Sequence, residues 1–245
     1  MKTLLVPTDF SHEAGAGVEY AAAFAGKGDF KIILLHAFHL NTVDILYTQM
    51  VPATHSFKDS AHDQLLLTRD LISDKVKLQP ECVFEEGSLN DVISKTVNEK
   101  KIDYIIMGTR GAKGIKKLLR GSHTSGIIRN ALCPVISVPQ NIRFQGFKKV
   151  CFATNYHRDD IAELHSIVDL VKPYKALIKV IHAAEMDENR IEQIMYAFEK
   201  NARKQIHYPH FYFGVLKGND LQETLHDYLN AEKPDLFSIS TGFVA

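Results

Sequence analysis

Two stretches of the chain resemble each other at a constant spacing of 146 positions. Residues 2–39 open a first half and residues 148–185 open a second. The shared spacing aligns three pairs of residues: Thr8 with Thr154, Asp9 with Asn155, and His36 with His182. A repeat of this length predicts that each half is one structural unit, and 245 residues are enough for two domains.

A second, looser correspondence follows at a shorter spacing. Residues 85–108 pair with residues 216–240, which places Asp103 on Asp235. The segment QNIRFQGF, residues 140–147, is the predicted linker. We therefore expect one domain over 1–141 and a second over 146–245. The second copy is expected to be truncated, because nothing in it matches residues 112–139.

Short apolar runs alternate with helical stretches throughout the first half. Ser11 is a candidate N-cap for a helix through Ala25, and Ser88 with Asp91 resembles a capping box. A longer amphipathic helix is predicted over about 58–78, and a short one over about 122–131. The predicted strands are the runs LLVP, KIILLHAF, CVFEE, YIIMG and PVISVP. This alternation predicts an α/β fold with a parallel, doubly wound sheet.

The composition excludes several functional classes. Lys and Arg number 29 and so do Asp and Glu, so no basic excess favours nucleic acid or an anionic membrane. No apolar stretch approaches the roughly 20 residues of a membrane span, and the N-terminus does not resemble a secretory signal. The three cysteines are scattered. We therefore expect a cytoplasmic protein with neither nucleic acid nor a membrane as its partner.

A glycine-rich, basic segment follows the fourth predicted strand. Gly108 and Gly111 are separated by two residues, and nine more precede Gly121 and Ser122. Glycine permits a positive φ and lets backbone N–H groups approach an anion, and a helix N-terminus favours phosphate. The segment also carries five cations and no acid: Arg110, Lys113, Lys116, Lys117 and Arg120. It predicts either a phosphate-binding loop or a glycine-rich connection with solvated lysines.

Together, Pro7-Thr8-Asp9 and the G-x2-G-x9-G-S motif resemble the ATP-binding branch of the universal stress protein family. The resemblance covers residues 2–139, and residues 148–240 resemble a second, degenerate copy. It implies a five-stranded parallel sheet of order 3-2-1-4-5, repeated in tandem. It also implies an adenine-nucleotide-binding regulatory module of the stress response, with ATP or AMP as ligand. Any Mg²⁺ would be held by the phosphates and by water.

The resemblance also assigns site residues. Pro7 belongs to the shared motif. Asp9 is expected to contact the adenine or ribose, Thr8 to line that pocket, and the backbone at Ala37 to contact adenine. Met107 and Gly108 should flank the sugar. The expected phosphate ligands are Gly111, Gly121, Ser122, His123 and Thr124. Arg110, which stands where many members have histidine, either binds a phosphate or points to solvent.

Other interpretations of these residues remain open. Asp9 could simply cap the first helix, and the HxxH pairs at His36 and His207 lack further ligands for zinc. The P-loop, Rossmann and GxSxG motifs do not occur. A slow ATPase or phosphotransfer enzyme is the alternative to a binding module, although no catalytic residue is assigned. A nucleotide-free dimerisation module is a third possibility.

Two expectations concern assembly and the second half. Residues 134–139 should form an edge strand of the first sheet, and in family dimers that strand pairs with its counterpart, so we expect a homodimer. Asn155 replaces the acid at Asp9, and Ser240 replaces Gly108. The second half is therefore expected to bind no nucleotide.

Overall fold

The fold comes from a computed structural model that describes residues 1–38, 53–109, 127–128, 131–184 and 190–240. The chain forms two compact units, Met1–Gln145 and Gly146–Ala245. Each unit contains its own parallel sheet, and each is described separately below.

Strands and helices alternate in the first unit as the sequence predicts. Ser11 caps the first helix, its hydroxyl accepting the N–H of Ala14 at 3.2 Å, and Ser88 caps a later one by accepting the N–H of Asp91. The elements are β1 (Lys2–Pro7), α1 (His12–Gly26), β2 (Phe30–Phe38), α2 (Ala53–Ser73), β3 (Glu81–Glu86), α3 (Leu89–Lys100), β4 (Tyr104–Thr109) and β5 (Val135–Pro139).

The five strands form one parallel sheet of order β3-β2-β1-β4-β5. This confirms the α/β class and the strand order that the family resemblance implied. Leu5, Ile33 and Ile105 lie in the buried cluster with Val92, Ile93 and Val97 of α3. Because side chains alternate along a strand, the intervening residues face the opposite side of the sheet. That side carries Leu4, Ile32 and Ile106, all buried.

Two glycines bring α1 unusually close to the centre of the sheet. A Cβ on Gly17 would overlap the backbone nitrogen of Gly108, and a Cβ on Gly108 would overlap the carbonyl oxygen of Glu13. The rest of the buried face of α1 is mostly alanine. The first turn of α1 therefore lies directly against the end of β4, where no larger residue would fit.

The second unit repeats the first four strands of this arrangement. Its sheet has the order β8-β7-β6-β9. Asp220 caps its last helix, one carboxylate oxygen accepting the N–H groups of Gln222 and Glu223 at 2.9 Å. The elements are β6 (Lys149–Ala153), α4 (Asp160–Val171), a short 3₁₀ helix (Lys172–Tyr174), β7 (Leu177–Ala184), α5 (Ile191–Gln205), β8 (Phe211–Lys217), α6 (Leu221–Glu232) and β9 (Leu236–Ile239).

The repeat extends to individual hydrogen bonds. The Asp103 carboxylate accepts the N–H of Thr3 at 2.7 Å, and the Asp235 carboxylate accepts the N–H of Lys149 at 2.9 Å. In both units the same aspartate also donates its own N–H back to that strand. The matching of Asp103 with Asp235 in the sequence therefore reflects one shared structural role, which is to join the fourth strand to the first.

Both ends of helix α2 differ from the sequence expectation, and the helix begins at Ala53 rather than near residue 58. Helix α2 ends at Ser73 rather than near residue 78, and the N–H of Lys75 bonds to the carbonyl oxygen of Ile72 at 3.0 Å in the turn that follows. The linker is also well packed at both ends. Phe144 packs edge-on against Phe24 in the first unit, and Phe147 packs edge-on against Tyr174 in the second.

The close approach of α1 to β4 predicts opposite effects at two glycines of one helix. Gly17→Ala should lower the free energy of unfolding by about 1–3 kcal/mol, because the helix must move away from β4. Gly15→Ala is the matched control: its Cβ would meet nothing within 4 Å. That change should raise stability by about 0.5–1 kcal/mol. Chemical denaturation of both variants tests this, and equal effects would contradict the packing described.

Candidate functional site

The carboxyl ends of β1, β2 and β4 lie side by side at one edge of the first sheet. In doubly wound sheets, ligands bind at such an edge, where the connections leave on opposite faces. Pro7 ends β1, Ala37 lies near the end of β2, and Met107 and Gly108 lie near the end of β4. The structure thus brings together these four predicted site residues, with Thr8 and Asp9 in the turn after β1.

Hydrogen bonds fix the turn that carries Asp9. The N–H of Thr8 donates to the carbonyl of Leu35 at 2.8 Å, which continues the ladder between β1 and β2. The Thr8 hydroxyl accepts the N–H of Phe10 at 3.1 Å. No acceptor for that hydroxyl's own hydrogen is found in the described part of the chain. Thr8 is buried, so its hydroxyl is a donor that a ligand at this edge could use.

The Asp9 side chain is exposed, and its orientation is set by Ser11. One carboxylate oxygen accepts the N–H of Ser11 at 3.0 Å. Partial burial acts to raise the pKa of Asp9. The hydrogen bonds from Ser11 and the nearby imidazole of His36 outweigh that effect, so the pKa lies below its ordinary value. Asp9 is therefore an ionised, acceptor-only group at neutral pH, suited to hydroxyl or amine donors of a ligand.

Glycine is needed at position 108 for a structural reason that differs from the one the motif offered. The sequence suggested a positive φ that would expose N–H groups to an anion, but Gly108 lies within β4 and its backbone is not left-handed. Glycine is required there because the carbonyl oxygen of Glu13 occupies the space of a side chain. Gly108 therefore does not use the positive φ that glycine permits. A local motif does not reveal which remote segment packs against it.

Half of the predicted site lies outside the described residues. The phosphate-binding assignments to Arg110, Gly111, Gly121, Ser122, His123 and Thr124 all fall there, as does most of the predicted helix over 122–131. These assignments remain predictions from the motif.

The structure adds two residues that the sequence did not single out as part of the site. His36 places its Nδ1 at 2.8 Å from the carbonyl oxygen of Thr8. Phe10 has a φ of 62°, a left-handed conformation that costs a bulky residue on the order of 1–3 kcal/mol. The available sequence signal was the repetition of His36 at His182, which by itself assigns no role to either residue.

The second unit builds the same turn. The N–H of Thr154 donates to Ile181, the Thr154 hydroxyl accepts the N–H of Tyr156 at 2.8 Å, and Tyr156 has a φ of 58°. His182 places its Nδ1 at 2.8 Å from the Thr154 carbonyl oxygen. The backbone frame of the site is therefore present twice, with Asn155 at the position of Asp9.

The chemistry at the second turn is different. The Thr154 hydroxyl donates to the carboxylate of Asp160, which is only 3% exposed. Asp160 occupies the position that Ala14 holds in the first unit. Ser240, at the position of Gly108, is buried, and its hydroxyl has no hydrogen-bond partner among the described residues. In the second unit, a protein carboxylate thus accepts the hydroxyl hydrogen for which the described residues of the first unit supply no acceptor.

The fold defines a class: a parallel α/β domain with a switch point between β1 and β4, whose first four strands recur in the second unit. Residues 1–139 match the model of the universal stress protein family. That match covers more than half of the chain, and the protein belongs to this family.

Individual relatives agree with the assignment. A universal stress protein of Methanocaldococcus jannaschii is 28% identical over 145 residues, covering 56% of this chain and 81% of its own. The crystal structure of a universal stress protein from Archaeoglobus fulgidus covers 97% of this chain and 86% of its own, with a TM-score of 0.71 and 18% identity. The latter likeness spans both units and concerns the fold.

Two solved structures of the family contain adenine nucleotides. An Arabidopsis thaliana protein with AMP bound covers 58% of this chain and 93% of its own, at 19% identity and a TM-score of 0.40. A universal stress protein in complex with cAMP covers 57% of this chain and 98% of its own, at 21% identity and a TM-score of 0.46.

The described residues lack two kinds of feature. None of the helices they form is both long and apolar enough to cross a bilayer. Among the same residues, no three side chains of the His, Cys, Asp and Glu types are grouped to hold a metal ion.

The low pKa of Asp9 predicts a contribution to acid stability. Because its folded-state pKa lies below the unfolded value, Asp9 stabilises the fold above about pH 4, and this contribution is lost as the pH falls through the folded-state pKa. Asp9→Asn should therefore lose less stability than the wild type between about pH 5 and pH 2. Urea denaturation across that range measures the difference, and parallel curves would contradict the assignment.

Proposed function

We propose that the first unit binds an adenine nucleotide and that the protein is a nucleotide-responsive regulatory module of the stress response. The observation that carries this proposal is the arrangement of Asp9. Its ionised carboxylate is held by Ser11 at the carboxyl edge of the sheet, where Gly108 begins the glycine-rich segment. A carboxylate and a phosphate-binding motif at one switch point suit a nucleoside phosphate.

Each residue of the edge has a role in this proposal. Asp9 accepts hydrogen bonds from the ribose hydroxyls or the adenine amine, and the Thr8 hydroxyl donates to the same ligand. The Ala37 backbone contacts adenine, and Met107 and Gly108 flank the sugar. The phosphates are assigned to the motif residues after β4, with Mg²⁺, when ATP is the ligand, carried by phosphate oxygens and water.

The second unit, in this proposal, binds no nucleotide. Asp160 supports this assignment because its buried carboxylate already accepts the hydrogen of the Thr154 hydroxyl. A nucleotide placed there would meet a negative charge instead of a free donor, and burying a phosphate without donors is costly. Asn155 also lacks the charge that Asp9 has.

Matched substitutions in the two units test the binding site. Asp9→Ala should weaken AMP and ATP binding by at least about tenfold, since a charge-assisted hydrogen bond contributes roughly 1.5–3 kcal/mol. Asn155→Ala, at the equivalent turn, should leave the affinity unchanged. Calorimetric titration with AMP, ATP and cAMP measures the affinities, the ligands being chosen from those bound by family members and from the motif.

A third variant introduces into the first unit the carboxylate that Asp160 supplies in the second unit. Ala14→Asp places a carboxylate beside Thr8, as Asp160 lies beside Thr154, and should abolish nucleotide binding. Thermal unfolding checks that the variant is folded. A hydrogen bond from the Thr8 hydroxyl to the new carboxylate should favour the folded state. Equal affinity in the wild type, Asp9→Ala and Ala14→Asp proteins, or no binding by the wild type at millimolar ligand, would refute the proposal.

We further propose that the protein forms a homodimer through the strand predicted at 134–139. In the first sheet this strand, β5, lies at the edge beside β4, and its side chains Ile136 and Val138 are buried. An edge strand presents unpaired backbone groups that a second copy could pair with. The opposite edge, β3, carries three glutamates and is less suited to such pairing.

Light scattering at tens of micromolar protein should give twice the chain mass of 27.6 kDa. Hydrogen exchange measured over a concentration series provides an internal control. Protection of Val135–Pro139 should increase with concentration, while protection of the β3 edge, Glu81–Glu86, should not. A monomer at these concentrations, or equal behaviour of both edges, would contradict the dimer.

A further inference from the structure

His36 contacts both residues that flank Asp9. On one side, its Nδ1 lies 2.8 Å from the Thr8 carbonyl oxygen. A carbonyl only accepts, so Nδ1 carries the hydrogen and donates it. On the other side, the His36 ring stacks on Phe10, with centroids 4.5 Å apart and planes at 24°. Thr8 and Phe10 are the neighbours of Asp9 in the chain, so one imidazole holds both ends of the residue.

A second aromatic ring also stacks on the imidazole. Phe84 of β3 stacks on His36 with centroids 5.7 Å apart and planes at 16°. Phe84 is in turn stacked on Phe38, at 4.6 Å. These stacking contacts restrict the orientation of the His36 ring. Through its contacts with Thr8 and Phe10, His36 in turn restricts the conformation of the turn.

Phe10 needs such support because its backbone is strained. A left-handed conformation is unfavourable for an aromatic residue and persists only where surrounding contacts enforce it. In the first unit, the contacts that enforce it are the hydrogen bond from Phe10 N–H to Thr8 and the stack on His36. Loss of the stack would remove one of these two contacts of Phe10.

We infer that His36 is a positioning residue of the nucleotide site, which orients the Asp9 carboxylate through Thr8 and Phe10. This inference rests on the proposed function in that Asp9 is taken to contact the nucleotide. His36 itself need not touch the ligand. Its effect on binding is therefore expected to depend entirely on the presence of the Asp9 carboxylate.

The second unit provides the matched control. His182 makes the same hydrogen bond to Thr154, but its ring lies 5.7 Å from that of Tyr156 and is tilted by 41°. Tyr156 has its own anchor, because its hydroxyl donates to the carbonyl of Gly214 at 2.7 Å. It also packs against Phe198, with ring centroids 5.2 Å apart. The second turn is thus less dependent on its histidine than the first.

The first test is made without nucleotide, by measuring the pKa of Asp9 by carboxyl NMR with Asp9→Asn as the assignment control. His36→Ala should raise that pKa towards its ordinary value. A looser turn weakens the hydrogen bonds that Ser11 donates to Asp9, and the nearby imidazole is removed. His182→Ala should leave it unchanged. An unchanged Asp9 pKa in His36→Ala would overturn the inference, whatever the protein binds.

The second test measures AMP affinity in a double-mutant cycle. His36→Ala should weaken binding about tenfold, and His36→Asn, whose amide can still donate to Thr8, should recover part of that loss. In the Asp9→Asn background, His36→Ala should have no further effect. His182→Ala should bind as the wild type does.

A purely structural role for His36 would give a different pattern. Losses of affinity that add in the double variant, or a His36→Asn variant no better than His36→Ala, would contradict the inference. Failure of the wild type to bind AMP would instead refute the proposed function. The pKa of Asp9 in the His36→Ala variant would then be the test of whether His36 positions Asp9.

Discussion

The contact between Gly17 of α1 and Gly108 of β4 is the constraint on which the candidate site depends. With no side chain at either position, the first turn of the helix rests directly on the end of the strand. That contact places the turn carrying Asp9 beside the strand from which the glycine-rich segment leaves. Any side chain at Gly108 would overlap the carbonyl oxygen of Glu13 and separate the two halves of the site.

The two units share this frame but not its chemistry. At the last residue of α3, Lys100 bonds to Glu81, which also pairs with Lys31 at 2.7 Å. At the last residue of α6 the charge is reversed, and Glu232 pairs with Lys149 and Lys179. The carboxyl ends of the strands also differ between the units, because Asp160 stands where the first unit has Ala14. The repeat thus preserves the strand order and the turn geometry, while the side chains around them make different contacts in the two units.

The fold was largely predictable because its signals are local. Apolar runs marked the strands, and the Ser11 and Ser88 caps marked two helix starts, since caps depend on residues three positions apart. The order of the strands came from the family resemblance. The packing reason for Gly108 and the role of His36 were not predictable. Each depends on a contact with a segment remote in sequence, Glu13 in one case and Thr8 in the other.

The central claim is that the chain contains one nucleotide site, in its first unit, within a frame that is built twice. Native mass spectrometry of the intact protein with AMP tests it most directly, because it counts ligands on each chain. The account predicts one AMP per chain at saturation, removed by Asp9→Ala and retained in Asn155→Ala. Two AMP molecules per chain, or one that survives Asp9→Ala, would contradict it.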